Sequence, residues 1–308
     1  MKHDGLTAFE GTLKNRWRNY PSRQDGRYKH GLLFPEVSPS FTLKPGQSIF
    51  TIGSCFARNI EQILLEKGFS VPTAHFKAPY EEAPGQPNRV LNQYNPGTML
   101  QCIAGTNGDQ NGLYDVGDDR VQDCLLATGS RPVTRKRATE RRKEINSLYQ
   151  NELVDADVVF ITLGLIECWY DNETCLFLNE APPVKMLKQN NGRFSFIRLS
   201  VSECQNMLRE ILGIVTKGNR HGIVTVSPVP LQVTFSGGDP VMRNAYSKAV
   251  LRAACDEVIE EFSGIDYFPS YEIAVSGGLT ALGDDNVHVR PIIIKHILDY
   301  MVSRYVTE

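Results

Sequence analysis

The 308-residue sequence lacks the features that would assign it at once to a membrane, secreted or zinc-binding class. No run of about 18 apolar residues, the length that spans a bilayer, occurs in it. Residues 1–31 contain no apolar stretch of the kind found in secretory signals. Its seven cysteines are odd in number and form no CxxC pair. We therefore expect a cytoplasmic protein with reduced thiols, no metal and no membrane partner.

The charge balance gives no reason to expect a nucleic-acid partner. The net charge is −2, and no P-loop, zinc-finger or RNA-binding motif is present. One basic stretch, residues 131–143, could bind phosphate or an anionic polymer. Glutamates interrupt it, however, which is typical of the solvated face of a helix. No cofactor motif occurs, and none of these features predicts an oligomeric state.

The chain divides into two parts by composition. Residues 1–45 are polar and rich in aromatics, Arg and Pro, and we expect an extended arm with little regular structure, packed on the body. Residues 46–308 are expected to form one α/β domain, with a long insertion around 69–150 that is rich in Pro, Asn and Gly. No internal repeat is visible.

Apolar runs alternate with amphipathic helical patterns along the body. "QSIFTIG" (47–53), "ADVVFITLG" (156–164) and "HGIVTVSPVPL" (221–231) predict buried strands, and "GIDYFPSYEIA" is a further candidate. "ETCLFLN" and "RFSFIRLS" predict a small hairpin. This alternation predicts a mostly parallel sheet with helices on both faces, and functional groups gather at the carboxyl ends of such strands. Ser54, Glu167 with Trp169, and residues 228–230 should therefore converge.

Ser54 and Cys55 lie side by side where the first strand turns into a helix. The Ser54 hydroxyl would be presented at the top of the sheet, and free N–H groups of the helix start could hold an oxyanion there. A plain helix N-cap is the common role of such a serine. Cys55 is the alternative nucleophile, with a thiol favoured by the helix N-terminus, although a cysteine at this position is more often buried in packing.

A serine nucleophile requires a base, and His288 is the best placed of six histidines. It lies in "GDDNVHVRP", just before the last helix, three residues after Asp285. A D-x-x-H turn lets the carboxylate accept from Nδ1 and leaves Nε2 free for the serine proton. The other histidines lie in the arm, at the wrong end of the sheet, inside the last helix or in the irregular region: His3, His30, His221, His296 and His75.

The order of these motifs resembles the SGNH hydrolases, and residues 53–57 spell the name of one of their branches, the GSCFA family. Further blocks are similar to that family: "TLGLIECW", "SPVPL", "NAYSKAVLR", "FPSYEI" and "DDNVHVRP". The resemblance covers residues 47–302. It implies a flavodoxin-like three-layer α/β/α sandwich, a nucleophile at Ser54, a base at His288 and its orienting carboxylate at Asp285. It further implies hydrolysis or transfer of O-acyl groups, often acetyl groups on carbohydrates.

One departure from the superfamily concerns the oxyanion hole. Many SGNH enzymes carry a G-x-N-D block, whereas this chain has "LGLIECW", in which Gly164 supplies an N–H but no Asn follows. Glu167 occupies that neighbourhood and is a poor oxyanion donor when ionised, so it is assigned to substrate binding or to orienting another group. Asn95 is the best substitute donor, although Asn before Pro is also a routine turn residue. Trp169 is expected to form a platform for a sugar ring.

We therefore predict an SGNH-type esterase or O-acyltransferase acting on an acyl, most often acetyl, ester of a carbohydrate. Ser54, His288 and Asp285 form the triad, and the N–H groups of Ser54 and Gly164 with Asn95 form the oxyanion hole. The missing G-x-N-D block leaves open a non-catalytic carbohydrate-binding or scaffold protein that retains the fold. A Cys55-dependent hydrolase is the third possibility.

Overall fold

The computed structural model describes residues 4–306, so His3 lies outside the described residues. The strands are β1 Tyr28–Lys29, β2 Leu32–Leu33, β3 Ile49–Gly53, β4 Leu113–Gly117, β5 Arg120–Asp123, β6 Val133–Thr134, β7 Val158–Leu163, β8 Glu167–Asp171, β9 Leu176–Leu178, β10 Phe194–Arg198, β11 His221–Val226 and β12 Ile265–Tyr267. The α-helices are α1 Gly5–Lys14, α2 Cys55–Glu66, α3 Pro72–His75, α4 Pro96–Ala104, α5 Arg135–Asn151, α6 Val184–Gln189, α7 Val201–Val215, α8 Pro240–Ile259, α9 Ser270–Ser276 and α10 Pro291–Tyr305. Short 3₁₀ turns lie at Arg89–Leu91, Lys217–Asn219 and Gly278–Ala281.

The central sheet has four parallel strands in the order β12-β11-β7-β3. Beyond β3 the chain adds a parallel bridge between Ser48 and Ser70, with N–H to carbonyl bonds of 2.8 and 2.9 Å. If the segment at Ser70 is counted as a vestigial second strand, the order is the 2-1-3-4-5 order of flavodoxin-like sheets. Because the strands are parallel, their carboxyl ends all lie at the same edge of the sheet.

Helices cover both faces of this sheet because its strands are apolar on both sides. Val159 and Ile161 of β7 pack in a core layer with α4, α5, α7 and α8. Val158 and Phe160, which alternate with them, pack in a second layer with α2, α9 and α10. The predicted three-layer α/β/α sandwich is confirmed.

A second, antiparallel sheet forms the wall beside the strand ends. The sequence predicted that "ETCLFLN" and "RFSFIRLS" pair with each other, and this is wrong: both pair with β8, giving the order β10-β8-β9. The segment "GIDYFPSYEIA" is likewise strand only at β12, because Ser270 begins α9. The difference bears on the predicted site, since β8 carries Glu167 and Trp169.

The first 45 residues combine exposed and buried parts. Helix α1 has no buried residue, whereas Leu32, Phe34, Phe41 and Leu43 lie in the core layer next to α10. Regular structure in the form of α1 and the β1–β2 hairpin was not expected there. The division at residue 45 and the insertion around 69–150 stay predictions.

The basic stretch 131–143 is only partly the solvated helix face that was predicted. Arg141 and Arg142 of α5 are fully buried. Arg141 donates to Glu82 at 2.9 Å, and Arg142 donates to Asp123. Arg137 also pairs with Glu82, at 2.5 Å. The inward side of the stretch is therefore used for ion pairing that attaches the 76–134 region to α5.

Of the helices between residues 4 and 306, none combines the length and the apolar character that crossing a bilayer requires.

Candidate active site

Only glycine fits at position 53, where β3 meets its neighbour. Gly53 has φ +134°, and a Cβ there would lie 2.2 Å from both the carbonyl oxygen and the hydroxyl of Thr162. The close approach of β3 to β7 at this point places Ser54 directly over the strand ends.

Ser54 is the N-cap of α2 and also a buried group of the site. Its Oγ accepts from the Phe56 N–H at 3.3 Å, the usual N-cap bond. The same Oγ donates to Ser227 Oγ at 2.9 Å, and only 3% of the residue is exposed. The Ser54 N–H donates to Thr162 Oγ1 at 3.0 Å, so this predicted oxyanion donor is already engaged.

Asp285 and His288 form the pair that their spacing suggests. Asp285 Oδ2 lies 2.5 Å from His288 Nδ1, and its Oδ1 accepts the N–H groups of Val287 and His288, each at 3.0 Å. The hydrogen bond from His288 holds the pKa of Asp285 well below its usual range. The histidine side chain is 67% exposed, so the ring remains accessible from solvent.

One cleft of ≈ 890 Å³ gathers the predicted residues at the carboxyl edge of the sheet. All of them except Asp285 line it: Ser54, Gly164, Asn95, Glu167, Trp169 and His288. Within residues 4–306, however, no hydrogen bond joins Ser54 to His288, because Ser54 Oγ is directed to Ser227. The predicted nucleophile and the predicted base therefore share the cleft without being hydrogen-bonded to each other.

The two predicted oxyanion donors besides Ser54 differ in how free they are. A Cβ on Gly164 would lie 2.7 Å from the Tyr94 carbonyl oxygen, so the backbone there is closely packed. The Gly164 N–H has no acceptor in the described part of the chain. Asn95 is the N-cap of α4: its Oδ1 accepts from Thr98 at 2.9 Å, while Nδ2 makes only a 3.5 Å contact with the Leu178 carbonyl. Gly164 is thus the freer donor.

Glu167 organises a loop of the cleft. Its carboxylate accepts from the hydroxyls of Thr234 and Ser236, at 2.7 and 2.6 Å, and from the Phe235 N–H at 3.0 Å. These bonds hold Phe235 against Trp169, with ring centroids 5.3 Å apart. Both oxygens of Glu167 are therefore committed, and the predicted role in direct substrate binding stays a prediction.

Trp169 belongs to a group of three aromatic rings in the cleft. Its ring packs on Phe196 and Phe235, and the three centroid separations are 5.3 to 5.8 Å. Phe235 is more than half exposed, so the group presents apolar surface to the cleft.

Cys55 also lines the cleft, but its surroundings do not favour a thiolate. Burial raises the pKa of the Cys55 thiol above its ordinary value, even though Lys248 acts in the opposite direction. This direction disfavours the thiolate that a Cys55-dependent hydrolase would use.

Two side chains that bond to Ser54 were missed from the sequence: Thr162 and Ser227. Ser227 stands one residue before the stretch 228–230 that the strand-end rule selected. Thr162 lies inside the β7 run, where a side chain over the strand end cannot be told from a core residue. Lys248 lies in "NAYSKAVLR", one of the blocks similar to the family, but helical spacing alone cannot show that a lysine is buried.

Comparison with known proteins assigns the chain to a family. The model of the GSCFA family matches residues 48–300, most of the chain. The chain belongs to the GSCFA family. The predicted resemblance is thereby confirmed.

Solved structures that resemble this GSCFA protein do so only distantly. An acetyl esterase mutant with an acetate ion is 12% identical, with a TM-score of 0.40 over 84% of this chain and 95% of the other. A Clostridium thermocellum family 3 carbohydrate esterase is 13% identical, with a TM-score of 0.35 over 84% and 94%. No curated protein matches the sequence significantly.

Proposed function

We propose that the protein is an SGNH-type serine esterase or O-acyltransferase whose substrate is an acyl ester of a carbohydrate. The observation that carries the proposal is that Ser54, capping α2 at the carboxyl edge of the parallel sheet, shares one cleft with His288, whose ring is bound to Asp285. A hydroxyl at a helix start and a histidine–carboxylate pair are the groups that acyl transfer requires.

In the proposed reaction Ser54 Oγ attacks the ester carbonyl carbon while its proton passes to His288 Nε2. The carbonyl becomes a tetrahedral oxyanion, and its collapse releases the alcohol, which takes the proton back from His288. Water or a sugar hydroxyl then attacks the acyl-Ser54 with His288 again as base. The product is a free acid in hydrolysis or a new ester in transfer.

The reaction requires Ser54 Oγ to exchange its bond to Ser227 for one to His288. All three residues line the same cleft, and catalytic hydrogen bonds are often long or absent before substrate binds. The exposure of His288 supports such a change, because its ring can move without breaking core packing.

The oxyanion is assigned to the Gly164 N–H and the N–H of Cys55 at the start of α2, with Asn95 Nδ2 as a further donor. The Ser54 N–H could join only by leaving Thr162. The aromatic group around Trp169 supports a bound sugar ring or acyl chain, since ring faces stack on such apolar surfaces.

The test is the hydrolysis of p-nitrophenyl acetate and the release of acetate from an acetylated monosaccharide. Ser54→Ala and His288→Ala should each lower kcat by about 10³-fold or more. Ser147→Ala, at a serine of α5 outside the cleft, is the matched control and should retain the wild-type rate. Equal rates for wild type and Ser54→Ala would contradict the proposal, and loss of activity in Cys55→Ala with full activity in Ser54→Ala would favour a cysteine hydrolase.

A non-catalytic carbohydrate-binding protein is the second candidate. The bond from Ser54 Oγ to Ser227 and the absence of the G-x-N-D block favour it. This candidate expects saccharide binding, measured by calorimetry, that is unchanged by His288→Ala, together with no turnover by the wild type.

A further inference from the structure

Side chains on one face of α8 form hydrogen bonds with the backbone of two loops that reach the cleft. Asn244, Ser247 and Lys248 are spaced i, i+3, i+4 and so share that face. Asn244 Oδ1 accepts the Leu231 N–H at 3.0 Å, and Ser247 Oγ accepts the Ile166 N–H at 3.1 Å.

Lys248 connects the same two loops to each other. Its Nζ donates to the carbonyl of Gly164, after β7, and to the carbonyl of Val229, after β11, each at 2.8 Å. On the other side of the same peptide, the Leu165 N–H donates to the Tyr94 carbonyl at 2.7 Å. The peptide that follows Gly164 is therefore held at both its oxygen and its nitrogen.

Burying the charged amine of Lys248 lowers the stability of the fold, so the residue is expected to have a role that compensates for this loss. The residue is 0% exposed, and both of its hydrogen-bond acceptors are backbone carbonyls, with no carboxylate partner among residues 4–306. A buried amine without a counter-ion normally destabilises a fold, and an apolar side chain of the same length would be cheaper. Burial lowers the pKa of Lys248 to about 7, against an opposing influence of Cys55. A neutral amine has two N–H donors, which the two carbonyls fully satisfy.

We propose that Lys248 is a positioning residue for the acyl transfer, holding the Gly164 backbone so that its N–H stays aimed at the oxyanion. The inference rests on the proposed function. Lys248 is not among the residues that line the cleft in the described part of the chain, so it acts through Gly164 rather than on the substrate. The Gly164 N–H is suited to this role because it has no other acceptor among those residues.

Lys248→Met tests the inference, because methionine keeps the length and removes the donors. We expect kcat for p-nitrophenyl acetate to fall about 10- to 100-fold while KM stays within about twofold, since the lost contact acts in the transition state. Affinity for a boronic acid, which forms a tetrahedral adduct with the serine, should fall by the same factor, and the affinity for acetate should not change. Lys185→Met, at an exposed lysine of α6, is the matched control.

Ser247→Ala provides a second variant, since it releases the Ile166 N–H of the same loop without altering the lysine. It should lower kcat in the same direction by a smaller factor. An unchanged kcat in Lys248→Met would overturn the inference, as would an equal loss of boronic acid and acetate affinity, which indicates general damage to the cleft. If Lys248→Met does not fold, an unchanged kcat in Ser247→Ala overturns it. Wild-type activity in Ser54→Ala would instead contradict the proposed function itself, so the two failures can be distinguished.

Discussion

Gly53 and Ser54 show how one residue of the strand end determines the position of the next. Gly53 must be glycine for two independent reasons: its φ is positive, and a Cβ at this position would lie only 2.2 Å from Thr162. Ser54 follows in extended conformation and caps α2. Backbone geometry thus places the nucleophile candidate over the strand ends, while its hydroxyl is directed by the bonds to Ser227 and to the Phe56 N–H.

Gly53→Ala should destabilise the protein by about 3 kcal/mol or more, from backbone strain and the clash with Thr162 together. The free energy of unfolding in urea measures this. Gly46→Ala is the control, because Gly46 also has positive φ, +87°, but no atom within 4 Å of its Cβ position. It should cost only about 1–2 kcal/mol. Equal losses for the two variants would show that the contact with Thr162 is unimportant.

The contacts of a single residue could be predicted from the sequence where its partners lie within a few residues of it in the chain. The Asp285–His288 pair follows from a three-residue spacing within one loop, and the structure forms it. The partners of Ser54 are 108 and 173 residues away in the chain, so no local pattern could reveal Thr162 or Ser227. Glu167 was selected for its position after β7, but its bonds to residues 234–236 depend on how a distant loop folds.

At the scale of elements, α8 both packs on the sheet and binds the backbone of loops at the cleft. Its regular packing face contributes to the core, while Asn244, Ser247 and Lys248 bind loop backbone instead. Helical periodicity identifies both faces but cannot tell loop binding from exposure to water. For this reason the spacing within "NAYSKAVLR" fits a structural face and a site-facing one equally well.

The buried amine of Lys248 predicts a pH dependence of stability. Its pKa falls from 10.5 to about 7 on folding, so between these values the unfolded chain binds a proton that the folded chain does not. Stability then rises with pH by up to about 1.4 kcal/mol per unit. The cost of burying the charge is greatest below the folded pKa and disappears above the unfolded one.

The comparison of wild type with Lys248→Met isolates this effect, because the buried Cys and Tyr groups titrate in both proteins. Between about pH 7.5 and 9.5, the unfolding free energy of wild type should gain about 2 kcal/mol or more relative to the variant. Parallel pH profiles for the two proteins would mean that Lys248 keeps an ordinary pKa.

On the scale of the whole molecule, the fold was predictable because alternating apolar strands and amphipathic helices allow few arrangements. The pairing of β9 and β10 with β8 was not, since adjacent strands in the chain usually pair and β9 and β10 do not pair with each other. The ion pairs around Glu82 were equally invisible, because a basic helix face looks the same in sequence whether water or a distant carboxylate faces it.

Glu82→Gln should destabilise the protein by about 3–5 kcal/mol, because it removes the carboxylate to which the buried Arg141 donates at 2.9 Å and leaves only Asp123, at 4.0 Å. Unfolding in urea is the measurement. Asp115→Asn breaks the exposed pair with Arg135 and, as control, should cost less than about 1 kcal/mol. Similar small losses in both variants would contradict the structural role assigned to the buried cluster.

The catalytic roles proposed for this site are Ser54 as the nucleophile and His288 as its base. The most direct measurement is treatment with a p-nitrophenyl phosphate triester, which phosphorylates activated serines, followed by mass spectrometry of the digested protein. One adduct is expected, on the peptide that contains Ser54, and it should be absent in Ser54→Ala and in His288→Ala. An adduct on Cys55, or equal labelling of Ser54 in the wild type and in His288→Ala, would contradict these roles.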